Sequence, residues 1–230
     1  MRPPARTIVV MLVCLVAAAA SRWVGAPGPT AGALTRHDTV EISDAATAAT
    51  FRFAPSVTPP DRAWILAAVA GARPEARQLI ARVDGLVTIT TEGRSATTTA
   101  TGADMMGEMR TEPNGFAVWL NAARLDSDRA IDRPTVVLHE LGHVVDTALV
   151  PADLDSRLDA AIPQAASCGD AGDPVGACAP PEERFADTFA KWALGGAVSA
   201  VGSGYGVPTP PSLEDWGRPL GELAAGVPAS

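Results

Sequence analysis

The 230-residue sequence is poor in several residue types, and each scarcity narrows what the protein can be. Lys191 is the single lysine, and 18 basic residues face 26 acidic ones, for a formal net charge of −8. Nucleic-acid binding depends on clustered Lys and Arg side chains, so we do not expect nucleic acid as a partner. With only three cysteines the chain is not a disulfide-dense miniprotein. Its length can bury the core of one domain, or two at most.

No apolar run reaches the ~20 residues that a bilayer-spanning helix needs. The N-terminal run from Ile8 to Ala20 follows two arginines and ends in small residues, a pattern typical of a signal peptide. We therefore predict a signal peptide over residues 1–26, cleaved after Ala20 or Ala26. The mature protein would be secreted or extracytoplasmic, without a stable membrane span. The alternative is a protein tethered by an uncleaved N-terminal segment.

Two cysteines remain after removal of this segment, Cys168 and Cys178, in a loop rich in Gly, Pro, Asp and Ala. An even number of cysteines in an exported protein favours a disulfide between them. A zinc-binding pair is the competing interpretation, but the spacing matches no ordinary zinc knuckle.

Proline, glycine and capping residues divide the rest of the chain into elements. We expect a linker over residues 27–36 and one domain over 37–225, in which 37–60 stay ambiguous. Capping residues and helix-opening prolines predict helices over residues 59–70, 74–83, about 132–150, 152–161, about 182–194 and 212–223. β-Branched residues and a Pro-Asn-Gly turn predict strands over residues 86–91, 97–101 and 116–120. This order predicts an α+β fold, with a small sheet followed by a mostly helical C-terminal half.

The helix expected from Asp132 carries the pattern His139-Glu140-Leu141-Gly142-His143. Histidines four residues apart lie one turn apart on the same face of a helix, where both can bind one zinc ion. Glu140 beside them can act as general base on a water molecule and later return the proton to the departing amine. A solvated helix face with incidental histidines is the alternative, but such a face usually carries mixed charges, and this one has no basic residue.

A catalytic zinc needs a third protein ligand, and no histidine follows His143. The segment from Pro181 is predicted helical and offers Glu183, with Asp187 one turn later. Glu183 can bind zinc while Asp187 accepts a hydrogen bond from the outer nitrogen of a ligand imidazole. Glu182 is the rival ligand. Either glutamate could instead be a favourable charge at the helix N-terminus.

Asp146 lies on the same face of its helix as the two histidines. We expect it to orient one of the ligand imidazoles, with capping of local backbone as the alternative.

Together, His139 to His143 and the segment from Glu183 to Asp187 resemble the gluzincin metallopeptidases. In these enzymes a glutamate from a second helix completes the HExxH site, and an acidic residue four positions later supports it. Asp146 and the sequence Phe185-Ala186-Asp187-Thr188-Phe189 are most similar to the lethal-factor-like branch, which includes Pro-Pro endopeptidases. The resemblance covers roughly residues 134–194 and implies a zincin-like fold, with a small mixed sheet packed on the active-site helix.

The resemblance also implies a tyrosine that stabilises the oxyanion shortly before the third ligand, and this chain has none there. Its only tyrosine, Tyr205, lies in a Gly- and Ser-rich segment. It could reach the developing charge or be an ordinary loop residue. Zinc peptidases of this kind usually hold an extended peptide along a sheet edge, which residues 116–120 or 97–101 could supply.

The sequence thus predicts an exported zinc endopeptidase that binds one Zn²⁺ per chain and acts on a peptide or protein substrate. Its ligands would be His139, His143 and Glu183, with Glu140 as the catalytic base. Two other functions stay open: an extracellular zinc-binding module without turnover, and a zinc amidase that acts on cell-wall peptides.

Overall fold

The computed structural model describes residues 51–91, 106–125, 132–165, 176–197 and 206–226. All of them belong to the unit Ser43–Ser230. The four strands of this part of the chain are β1 (Arg52–Phe53), β2 (Val87–Thr90), β3 (Gly107–Glu112) and β4 (Gly115–Leu120). Its seven α-helices are α1 (Pro59–Ala70), α2 (Pro74–Val83), α3 (Ala122–Leu125), α4 (Arg133–Leu149), α5 (Ala152–Ala161), α6 (Pro181–Ala193) and α7 (Leu213–Ala224). The α+β class and the helical C-terminal half are confirmed.

The strands form one mixed sheet in the order β1-β2-β4-β3. β1, β2 and β4 are parallel, whereas β3 is antiparallel to β4 and lies at an edge of the described sheet. Pro113 and Asn114 form the turn between β3 and β4. Gly115 follows with φ 143°, and a side chain there would collide with the Leu86 carbonyl. This close approach explains the glycine.

Helix termini follow the capping chemistry in the sequence. Thr58 and Asp61 form a capping box at the start of α1, and Asp132 accepts a hydrogen bond from the Thr135 backbone at the start of α4. Ser212 caps α7 in the same way. Each cap supplies an acceptor for backbone N–H groups that the first turn leaves unpaired, so the predicted helix starts are met within one or two residues.

Helix α4 packs on the sheet with one side and on α6 with another. Its apolar residues from Val136 to Val145 are buried, and so are the aromatic residues of α6, Phe185, Phe189 and Trp192. At the crossing a Cβ added to Gly142 would lie 3.2 Å from Ala186 Cα, so the two helices approach to backbone distance. The small residues Gly142 and Ala186 permit this close approach.

Two predicted strands are confirmed, as β2 and β4, while the third, residues 97–101, lies outside the described residues. The sequence did not predict β1, β3 or the short α3. Among the described helices, none is both long and apolar enough to cross a membrane. The predicted signal peptide and linker also lie outside the described residues.

Candidate metal centre

Three side chains of α4 and α6 meet where the two helices cross. His139 and His143 lie one turn apart on α4, and Glu183 belongs to the first turn of α6, which Pro181 opens. Nε2 of His139 lies 3.0 Å from Oε2 of Glu183, and Nε2 of His143 lies 3.4 Å from the same oxygen. The two Nε2 atoms are 3.2 Å apart. This group of His139, His143 and Glu183 could hold a metal ion.

The charge distribution at this point favours an ionised Glu183. Burial alone would raise the pKa of its carboxyl, but hydrogen bonds with His139 and His143 outweigh burial and lower the pKa to about 2. The two imidazole rings are nearly perpendicular, at 86°, with their centroids 4.8 Å apart. Two ring nitrogens and one carboxylate oxygen therefore point into a common space, as ligands of one cation do.

Glu182, the rival ligand, is exposed and lies outside this group, because one residue along a helix rotates a side chain by about 100°. The structure thus brings Glu183, and not its neighbour, to the histidines.

Glu140 is buried between α4 and β3, with 5% of its surface exposed. Burial raises its pKa to about 8, although the charge of His143 and a hydrogen bond from the Met109 backbone oppose that rise. A cation beside the carboxyl would favour its ionised form. The predicted general base therefore lies in a dry environment next to the three grouped side chains.

Asp187 has a different partner from the one we predicted. Its carboxylate is fully buried, and Oδ2 accepts a hydrogen bond from Lys191 Nζ at 2.7 Å. The other oxygen, Oδ1, has no hydrogen-bond partner in the part of the chain that the structure describes. Lys191 Nζ also donates to the Val207 carbonyl. Through Lys191 the pair joins α6 to the segment before α7. A buried ammonium satisfies a buried carboxylate better than a neutral imidazole does, which explains why Asp187 pairs with Lys191.

Asp146 lies beside the site, half-buried. Burial is the main cause that raises its pKa to about 7, and the nearby charges of Asp155 and Glu182 add to it. Within the described ranges its carboxyl makes no hydrogen bond to an imidazole or to local backbone. Both predicted roles thus lack the expected contact.

The remaining site predictions fall on residues that the structure does not describe. Tyr205 and Cys168 lie outside the described residues, so the oxyanion role and the disulfide stay predictions. Cys178 is half-buried in a short 3₁₀ turn, Gly176–Cys178.

Two features of the site escaped the sequence reasoning. Gly107 and the backbone of Met109 contact Glu140, and the only sequence signal for them was a glycine in a short polar segment. Lys191 could have been paired with Asp187 from their spacing, since residues four apart on a helix face each other.

Comparison of the chain with protein-family models, with curated proteins and with solved structures finds no match. The site must therefore be interpreted from its own geometry.

Proposed function

We propose that this protein is an exported zinc-dependent endopeptidase that hydrolyses peptide bonds. One observation carries the proposal: Nε2 of His139, Nε2 of His143 and Oε2 of Glu183 lie 3.0 to 3.4 Å from one another. The buried Glu140 beside them supplies the acid–base group that such a reaction needs.

The spacing of the three atoms is compatible with a zinc ion. Ligand atoms ~2.0–2.1 Å from a tetrahedral zinc ion lie about 3.3 Å from one another. The three separations in this site bracket that distance. Two imidazoles and one carboxylate also form a ligand set of catalytic zinc, which keeps its fourth position open. A structural zinc site would have a fourth protein ligand, and the described residues place none in this group.

Zinc in this position would polarise the scissile carbonyl and acidify a water molecule. The chain's own residues do the rest. Glu140 accepts the proton of the attacking water and transfers it to the nitrogen of the departing amine. Its buried position keeps bulk water away, which strengthens its interactions with the reacting groups. His139, His143 and Glu183 remain fixed between two packed helices while these steps occur.

In the described sheet the edge beside this centre is β3. Of the two segments that we expected, residues 116–120 form β4, which lies inside the sheet between β2 and β3, and residues 97–101 lie outside the described residues. β3 pairs with β4 on one side only in the described sheet. We propose that an extended peptide substrate pairs with the other side of β3, by main-chain hydrogen bonds of the kind that join neighbouring strands.

Metal analysis and a peptide-library digest of the full chain test this function. We expect one zinc per chain and cleavage of library peptides. Glu140→Gln should keep the zinc and abolish cleavage, because the amide cannot accept the proton. Glu222→Gln on α7 is the matched control and should cleave normally.

Three results would change the proposal. A chain that binds zinc but cuts nothing would be a zinc-binding module. Cleavage of cell-wall stem peptides without cleavage of proteins would indicate an amidase. Loss of zinc in Glu182→Ala but not in Glu183→Ala would overturn the ligand set.

A further inference from the structure

The backbone of β3 alternates between groups directed to β4 and groups directed away from it. Glu112 pairs with Gly115 across the two-residue turn, and the Met106 carbonyl accepts a hydrogen bond of 2.9 Å from the Asn121 N–H. In an antiparallel pair such hydrogen-bonded positions occur at every second residue. The residues between them, Gly107, Met109 and Thr111, therefore direct their N–H and C=O groups away from β4.

One of these outward groups already has a partner in α4. The Met109 N–H donates to the carboxylate of Glu140. Among the described residues, only the Met109 carbonyl is then left for an extended peptide at this position. The carboxylate consequently lies at the edge of β3, beside the path that we propose for the substrate.

Glu140 reaches this place because residue 107 has no side chain. A Cβ atom added to Gly107 would collide with Glu140 Oε1 and would lie 2.7 Å from both its Cγ and its Cδ. Carbon atoms in contact normally stay ~3.5–4.0 Å apart. Gly107 is also absent from the glycines with positive φ, so the backbone does not require a glycine there. Glycine weakens a strand, and its presence inside β3 fits a close approach by another group.

We propose that Gly107 and the Met109 N–H position the Glu140 carboxylate against β3, and that Gly107 is required because any side chain at this position displaces that carboxylate. The description of Glu140 as the base rests on the proposed function. The positioning itself concerns three residues of this chain and can be tested without turnover.

Nuclear magnetic resonance of the full chain tests the positioning directly through the Met109 amide proton. Loss of the carboxyl group in Glu140→Ala should move this signal upfield, because the hydrogen bond to its oxygen disappears. Gly107→Ala should move it in the same direction. The effect of the added methyl group alone is measured by Gly107→Ala in the Glu140→Ala background, where we expect almost no further shift. This double variant also lacks the collision, so it should fold even if Gly107→Ala does not.

Kinetics on the zinc-loaded protein provide the second measurement. Because the nearest colliding atoms all belong to the Glu140 side chain and none to the backbone, Gly107→Ala should fold and bind zinc normally. Its kcat should fall about 100-fold with little change in KM, as expected for a catalytic group displaced by about 1 Å. Gly85→Ala is the matched control, since a Cβ at residue 85 meets nothing within 4 Å. It should leave both kcat and the Met109 signal unchanged.

The outcomes separate this inference from the proposed function. If the chemical shift of the Met109 amide proton is the same in the wild type, Glu140→Ala and Gly107→Ala, the positioning is wrong, whether or not the protein cleaves peptides. Full kcat in Gly107→Ala would overturn it as well. If the wild-type protein cleaves nothing but the signal shifts as expected, the positioning stands and the proposed function fails.

Discussion

Replacing Lys191 by methionine removes the positive charge from the buried pair on α6. Lys191 is 9% exposed, and Asp187, its partner at 2.7 Å, is not exposed at all. Asp187 Oδ1 has no hydrogen-bond partner among the described residues, so Lys191 is the described counter-charge of this carboxylate. The methionine side chain has nearly the same length, which keeps the packing and isolates the effect of charge.

The expected loss of stability follows from the distance and the burial. At 2.7 Å and an effective dielectric constant of ~20, the Coulomb attraction is about 6 kcal/mol. The desolvation of both groups on folding offsets part of it. Removing one partner leaves the other charge buried and uncompensated, which costs about 3–5 kcal/mol. For a domain of this size we therefore expect the melting temperature to fall by about 6–20 °C.

Urea denaturation at neutral pH measures this loss as a free energy of unfolding. The double variant Lys191→Met/Asp187→Leu should regain much of it, since it leaves no buried charge. Arg218→Met is the matched control: its ion pair with Asp215 leaves both side chains about two-thirds exposed and should contribute less than ~1 kcal/mol. A loss below ~1 kcal/mol for Lys191→Met would refute this reasoning.

Two further predictions concern α4. In metal-free protein Asp146→Asn should raise the melting temperature at pH 8 and leave it unchanged near pH 3. Because the folded-state pKa of Asp146 is about 7 against an ordinary value of 3.8, the wild type loses stability as the pH rises between these values. An equal effect at both pH values would contradict this. Gly142→Val should cost about 1–3 kcal/mol and weaken zinc binding, since a Cβ there already lies 3.2 Å from Ala186 Cα and Phe189 Cδ1. Equilibrium dialysis measures the affinity of this variant for zinc. An unchanged affinity would show that α4 and α6 can separate without moving the ligands.

The sequence predicted α4 and α6 because their signals are local. Asp132 and the prolines of the first turns mark where the helices begin, and apolar spacing marks the faces that become buried. Histidines four residues apart on a helix share a face in any fold, so half of the candidate site followed from one element. We preferred Glu183 over Glu182 because of its spacing to Asp187, which contacts Lys191 and not an imidazole. The rotation of α6, which its buried aromatic residues fix, is what brings Glu183 to the histidines.

Features that depend on tertiary contacts were missed or misassigned. The strand β3, Gly107–Glu112, is short and polar and becomes a strand by pairing with β4, which local propensity does not show. Spacing alone assigned Asp187 to an imidazole, whereas the position of Lys191 in the core decides its partner. Gly107 acquires a role only when β3 lies under α4, a contact between residues far apart in sequence.

Several buried carboxyl groups lie around the proposed zinc site, so the stability of the fold depends on whether the ion is bound. Burial raises the pKa of Glu140 to about 8 and that of Asp146 to about 7, so ionising either carboxyl destabilises the metal-free fold. Glu183 adds a carboxylate that is held ionised by His139 and His143. A divalent cation on these three residues would attract the same carboxylates that otherwise repel one another. The arrangement therefore costs stability without the proposed cation and favours its binding, and carboxyl groups with strongly raised pKa values cluster at functional sites.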